Sequence, residues 1–137
     1  MNEKELVPTD PLHRYYGRLA DLYAKGIPND VYGSMDVPEA TVFDEPNYNV
    51  KEIPVDFSLI QRWYVKTFKA GLETPKHEHD SPSFRYVLKG KIKVNDKTFG
   101  VGEWVFVPKN VPYTFKALED AILLDACNHG THQKVFE

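Results

Sequence analysis

The sequence of 137 residues contains one cysteine, Cys127, which excludes an internal disulfide and every zinc or iron–sulfur site built from several thiolates. Any metal would be held by His, carboxylate or hydroxyl groups. Long hydrophobic runs are also missing: the longest, at 121–124, falls far short of a bilayer span and argues against a membrane protein. The first residues carry both signs of charge with no apolar stretch behind them, unlike a secretory signal, so a cytoplasmic protein is expected. Nor does one sign of charge dominate. Lys and Arg number 17 against 20 Asp and Glu, a net −3, and the lysines are interleaved with acids, leaving no electrostatic footprint for nucleic acid. Small molecules and other proteins remain as partners.

What the chain does have is 13% aromatic residues and ten prolines, a mixture that suits short strands and shaped turns. Its length fits one hydrophobic core. Residues 9–25 read as a helix, because Thr9-Asp10-Pro11 is a cap followed by proline, and Leu12, Tyr15, Tyr16, Leu19, Leu22 and Tyr23 recur at helical spacing. From 28 to 54 Asn, Asp, Glu and Pro dominate, which predicts an irregular arm with one or two short edge strands. From residue 60 onward β-branched and aromatic residues alternate with Gly and Pro punctuation, and strands are expected at 61–69, 84–89, 91–94, 104–107, 113–116 and 121–126, with Asn95-Asp96 turning a hairpin. The expected organisation is a helix and arm over 1–59, a barrel over 60–127, and a polar tail over 128–137, loose or serving as a dimer arm.

Two motifs stand out. Gly71 is followed after five residues by His77-Glu78-His79, and the stretch from Ser83 closes on Gly90. Gly102 precedes Pro108 by six positions, and Tyr113 follows. This pair resembles the two motifs of the cupin family over roughly residues 60–127, with both glycines and both histidines of the first motif and the glycine and proline of the second. The resemblance implies an all-β fold, a double-stranded β-helix or jelly-roll-like barrel with its site in the mouth. Typical cupins draw three histidines and a glutamate from these motifs to hold Fe, Mn, Ni, Cu or Zn. Here Ser83 stands for the Glu and Tyr113 for the last His.

Strand geometry supports a site independently. His77 and His79, two apart, share a face and can approach one ion, a weakly held Fe, Mn, Ni or Zn, or act directly on a ligand. If the parity continues past Pro82, Ser83 and Arg85 point into the same interior, Ser83 as a hydrogen-bond partner. Arg85 suits a substrate carboxylate or phosphate; the competing reading is an internal ion pair with Asp125 or Glu73, or an outward-facing side chain. Tyr113 is expected either to handle a proton or to fill space. His13, His129 and His132 read as surface residues, and Cys127 as a small buried hydrophobe. Lys89, Lys91 and Lys93 read as a solvated stripe, and Trp63, Trp104, Phe106 and Phe115 as core or dimer packing.

These readings converge on a homodimeric enzyme that acts on a small, anionic, oxygenated metabolite and needs no organic cofactor. Lyase or isomerase chemistry is preferred to dioxygenase chemistry, because oxygen activation usually wants a three-ligand facial set and two ligands are visible. The alternative is a binding or sensor module that has lost its metal.

Overall fold

The computed structural model describes residues 30–36, 40–128 and 133–136, the stretch 40–45 through its backbone alone. The expected helix at 9–25 and the residues His13, His129 and His132 lie outside them. Every regular element among the described residues is a strand. They fall into two units.

In the first unit, β2 (Ala40–Glu45) and β3 (Tyr48–Glu52) form an antiparallel hairpin, with a register shift between Thr41 and Phe43. It lies in the segment for which short strands are expected. Glu52, at its end, is buried.

The second unit begins with β1 (Tyr32–Gly33) and resumes with β4 (Arg62–Phe68), β5 (His77–His79), β6 (Ser83–Lys89), β7 (Lys91–Val94), β8 (Lys97–Gly100), β9 (Trp104–Val107), β10 (Phe115–Ala117), β11 (Ala121–Cys127) and β12 (Gln133–Val135). One antiparallel sheet runs β1-β9-β6-β11-β4, a second β10-β7-β8 and a third β12-β5. Isolated bridges at His77↔Tyr113 and Glu73↔Lys116 carry the β5 side toward β10. The core lies between the faces. Val87, Val105, Val107, Ala121 and Leu123 of the five-stranded sheet meet Ile92, Val94, Phe99, Phe115 and Ala117 of the three-stranded one, all essentially sealed from solvent. This is the all-β, jelly-roll-like barrel expected from the sequence.

Local sequence explains the path. β7 alternates Lys91 and Lys93 outward with Ile92 and Val94 inward, so the lysine stripe is a solvated face. Asn95, at φ 54°, turns β7 into β8 and takes the Thr114 amide on its side chain at 3.0 Å. Gly90, at φ 81°, turns β6 into β7 where a Cβ would run into the Asp120 carbonyl. Trp104, Phe106 and Phe115 are buried, while Trp63 is half exposed against Phe57 and Phe84.

Three details differ from the sequence expectations. The strand foreseen at 113–116 starts at Phe115, because Tyr113 makes only its bridge to His77. The partner arm of the Asn95-Asp96 hairpin is itself a strand, β8, which one apolar residue, Phe99, had not betrayed. The polar tail supplies β12, whose Gln133, Lys134 and Val135 pair with His79, Glu78 and His77. Backbone hydrogen bonding, indifferent to side-chain polarity, accounts for it.

Candidate functional site

The register of β6, β11 and β4 decides which side chains meet. Directly opposed residues of antiparallel neighbours share a face, so the pairing of Asp125 with Arg85 on one side and Tyr64 on the other puts all three on the inner face. Lys66, two residues from Tyr64, joins them diagonally. Ser83 and Cys127 are also opposed. The strand parity expected past Pro82 therefore holds.

These residues surround a cavity of about 250 Å³ lined by His79, Pro82, Ser83, Arg85, Tyr113 and Asp125, with Lys66, Ser81, Cys127 and Asn128 completing the wall. Of the residues singled out from sequence, His79, Ser83, Arg85 and Tyr113 line it. His77 does not. Its ring is buried behind the wall, where Nδ1 lies 2.8 Å from the Pro75 carbonyl and the ring packs at a tilt with its centroid 4.3 Å from that of Tyr113. Reciprocal backbone hydrogen bonds of 3.0 and 2.8 Å tie His77 to Tyr113. His77 thus braces Tyr113 and stands 5.0 Å, ring to ring, from His79.

Arg85 is the centre of the arrangement. Its Nη2 donates to the Tyr113 hydroxyl at 3.1 Å, its Nε lies 3.5 Å from Asp125 Oδ2, and its guanidinium carbon sits 5.3 Å over Tyr113 and 4.9 Å over Phe115. Both readings left open by the sequence thus meet in one residue, which faces the cavity and is paired with Asp125. Burial works against its charge, but the Tyr113 and Asp125 oxygens outweigh burial and raise its pKa. Asp125 is wholly buried and also holds Lys66 Nζ at 2.9 Å. Burial first, then the charges of His77, Arg85 and Lys66, lower the pKa of His79 against the opposing pull of Asp80. A neutral imidazole therefore faces the cavity at physiological pH. Burial, then Asp125, raises the Cys127 pKa, so its thiol is protonated and a poor nucleophile.

A divalent metal fits this donor set poorly. Among the described residues no cluster of three His, Cys, Asp or Glu could hold one. The single cavity carboxylate, Asp125, is already shared by two cations, and those cations would repel a third.

Lys66 and Asp125 carry much of this electrostatics, and sequence reading misses Lys66 altogether. In β4 the structure buries Tyr64, Lys66 and Phe68 more than Trp63, Val65 and Thr67, an alternation the side-chain types alone do not announce. That pattern places a lysine on an inward position.

Residues 64–127 match the family model described as the cupin domain. No curated protein matches the chain. Among solved structures, a conserved protein of unknown function from Streptococcus pyogenes is 22% identical, covering 50% of this chain and 68% of its own, with a TM-score of 0.40. An RmlC-like cupin protein from Ralstonia eutropha is 18% identical over 75% of this chain and 73% of its own, at 0.45. The salicylate 1,2-dioxygenase of Pseudaminobacter salicylatoxidans is 16% identical over 90% of this chain and 36% of its own, at 0.46. This chain thus spans little more than a third of the length of that dioxygenase.

Proposed function

We propose, from the premise that this chain carries a cupin domain over residues 64–127, that the cavity takes up a small anionic oxygenated metabolite and moves a proton on it, as a lyase or isomerase does. One observation carries the reading: the buried Arg85 guanidinium lines the cavity 3.1 Å from the hydroxyl of Tyr113, a charged anchor beside a proton-bearing group. Arg85 fixes the acidic group of the substrate. Neutral His79 accepts a proton, and Tyr113, whose oxygen already accepts from Arg85, has its own O–H left to donate. His77 positions Tyr113 through their backbone pairing and packed rings. Ser83 offers a further hydroxyl from the wall. A weakly held divalent metal, expected from the two histidines, has less support, and no step is assigned to one. A cytoplasmic homodimer remains part of the proposal; exposed Trp63 and Val65 on β4, an edge strand among the described residues, support the dimer.

The second reading, a non-catalytic binding module, draws on Ser83 and Tyr113 standing at two positions where typical cupins carry metal ligands. The two readings separate in D2O. Small hydroxy and keto acids incubated with the protein and followed by proton NMR should lose a carbon-bound proton signal next to the acid or carbonyl group, and Tyr113→Phe and His79→Gln should stop that loss. Binding without exchange would favour the module.

A further inference from the structure

The proposed anionic ligand leaves open which groups grip it and what stands beside its charge. Lys66 Nζ and Arg85 Nε both approach the same oxygen, Oδ2 of Asp125, at 2.9 and 3.5 Å. Asp125 is fully buried on the central strand of the three, so it fixes two cations on one wall. One carboxylate between two cations leaves one positive charge over. Arg85 turns Nε to Asp125 and Nη2 to Tyr113, and the 11% of its side chain that stays accessible lies where it lines the cavity. An excess positive charge on a largely buried wall is costly, and an anionic ligand would offset that cost.

Size and spacing narrow the ligand. The cavity, about 250 Å³, is small beside the roughly 300–1,000 Å³ usual for ligand pockets. The Tyr113 hydroxyl lies 3.1 Å from Arg85 Nη2, so it meets a ligand atom only a bond or two from a carboxylate held by the guanidinium. We infer that Lys66 and Arg85, set in place by Asp125, together grip the carboxylate of a small monocarboxylic acid carrying a hydroxyl or keto oxygen at its second carbon, with Tyr113 meeting that oxygen. This inference rests on the anionic-metabolite reading and adds Lys66 as a contact residue, Asp125 as a positioning residue and the 2-oxygen as the specificity element.

Titration calorimetry on the full chain tests it with lactate, pyruvate, propionate, lactamide and malonate as probes. The better of lactate and pyruvate should bind about tenfold or more above propionate, which lacks the 2-oxygen, and above lactamide, which lacks the charge. Lys66→Met, at a half-exposed position, should remove about tenfold from the favoured acid and nothing from lactamide. Asp125→Asn leaves two uncompensated cations and should turn the preference from monoanion toward malonate, a change that loss of structure alone would not produce. Where that variant does not fold, Lys66→Met still decides. Full anion preference in Lys66→Met, with the preference lost in Arg85→Gln, overturns this inference and leaves the proposed function standing. Anion preference unchanged in both variants overturns both. Equal affinity for the favoured acid and propionate, or no binding of lactate and pyruvate, overturns the 2-oxygenated acid.

Discussion

Arg85 and Tyr113, 28 residues apart in sequence, act as one unit: the guanidinium donates to the phenol at 3.1 Å and lies 5.3 Å over the same ring. Each constrains the other. The phenol oxygen keeps the guanidinium aimed at the cavity wall, and the guanidinium occupies an acceptor site on the phenol and leaves its proton for a ligand.

Tyr113→Phe keeps the ring and its face toward Arg85 while deleting the hydroxyl. Binding of the favoured acid should fall about tenfold, toward that of propionate, because the hydroxyl that meets the 2-oxygen is gone, and proton exchange on the bound acid should stop. Tyr113→Ala should behave differently, because the side chain is fully buried; loss of an aromatic of this size costs roughly 3–5 kcal/mol of stability. Calorimetry with urea unfolding of both variants checks the contrast. Equal exchange by wild type and Tyr113→Phe would remove Tyr113 from the chemistry.

The strands easiest to foresee were those whose boundaries are written in turn residues. β7 and β9 coincide with the runs 91–94 and 104–107, because Gly90, Asn95-Asp96, Gly102 and Pro108 fix their ends. β12 was hidden: three exposed residues, held by pairing with β5 that no side-chain pattern announces, whereas His77 and His79 had already been read at strand spacing. The site divides along the same line. Arg85 and Ser83 follow from His79 by counting along one stretch of chain. Lys66 requires knowing that β4 lies beside β11 in a particular register, which the packing of distant strands decides. For the same reason the retreat of His77 behind the wall was invisible, since two residues at strand spacing share a face without sharing a distance to the cavity.

Two glycines with similar backbone angles should respond differently to alanine. Gly71 (φ 91°) and Gly90 (φ 81°) both occupy the left-handed half of the map, so alanine at either carries a conformational cost of about 1–2 kcal/mol. At Gly71 a Cβ meets nothing within 4 Å, and the cost should stop there. At Gly90 it strikes the Asp120 carbonyl and the Asp120–Ala121 backbone, which has no flexible end to move aside, so Gly90→Ala should cost clearly more and yield less folded protein. Urea midpoints of the two variants decide; equal losses would mean that the β6–β7 turn can shift away from β11.

Metal content offers a separate check. After incubation with Fe, Mn, Ni or Zn and dialysis against chelator, untagged protein should keep well below one ion per chain, because two cations already share Asp125, the one carboxylate among the described residues that line the cavity. His77→Ala and His79→Ala should release what remains. Elemental analysis showing a full complement that survives both substitutions would require a different set of ligands.

The pH dependence of stability should bear the mark of His79. Its pKa in the folded protein is lowered from 6.5, chiefly by burial and then by neighbouring positive charge. Above 6.5 the ring is neutral in folded and unfolded chains alike, and its contribution is full. As pH falls below 6.5 the unfolded chain takes up the proton first, so stability declines until the folded protein is protonated as well. Glu52 works the other way. Burial raises its pKa from 4.5 to about 7, so on its own it favours the folded state as pH falls through that range. The two overlap, and a wild-type profile alone would mix them. His79→Gln isolates the histidine: in urea unfolding at a pH just above 6.5 and again about two units lower, wild type should lose more stability, or gain less, than the variant. Parallel profiles would mean that His79 titrates alike in both states and that the positive field of Arg85 and Lys66 does not reach it.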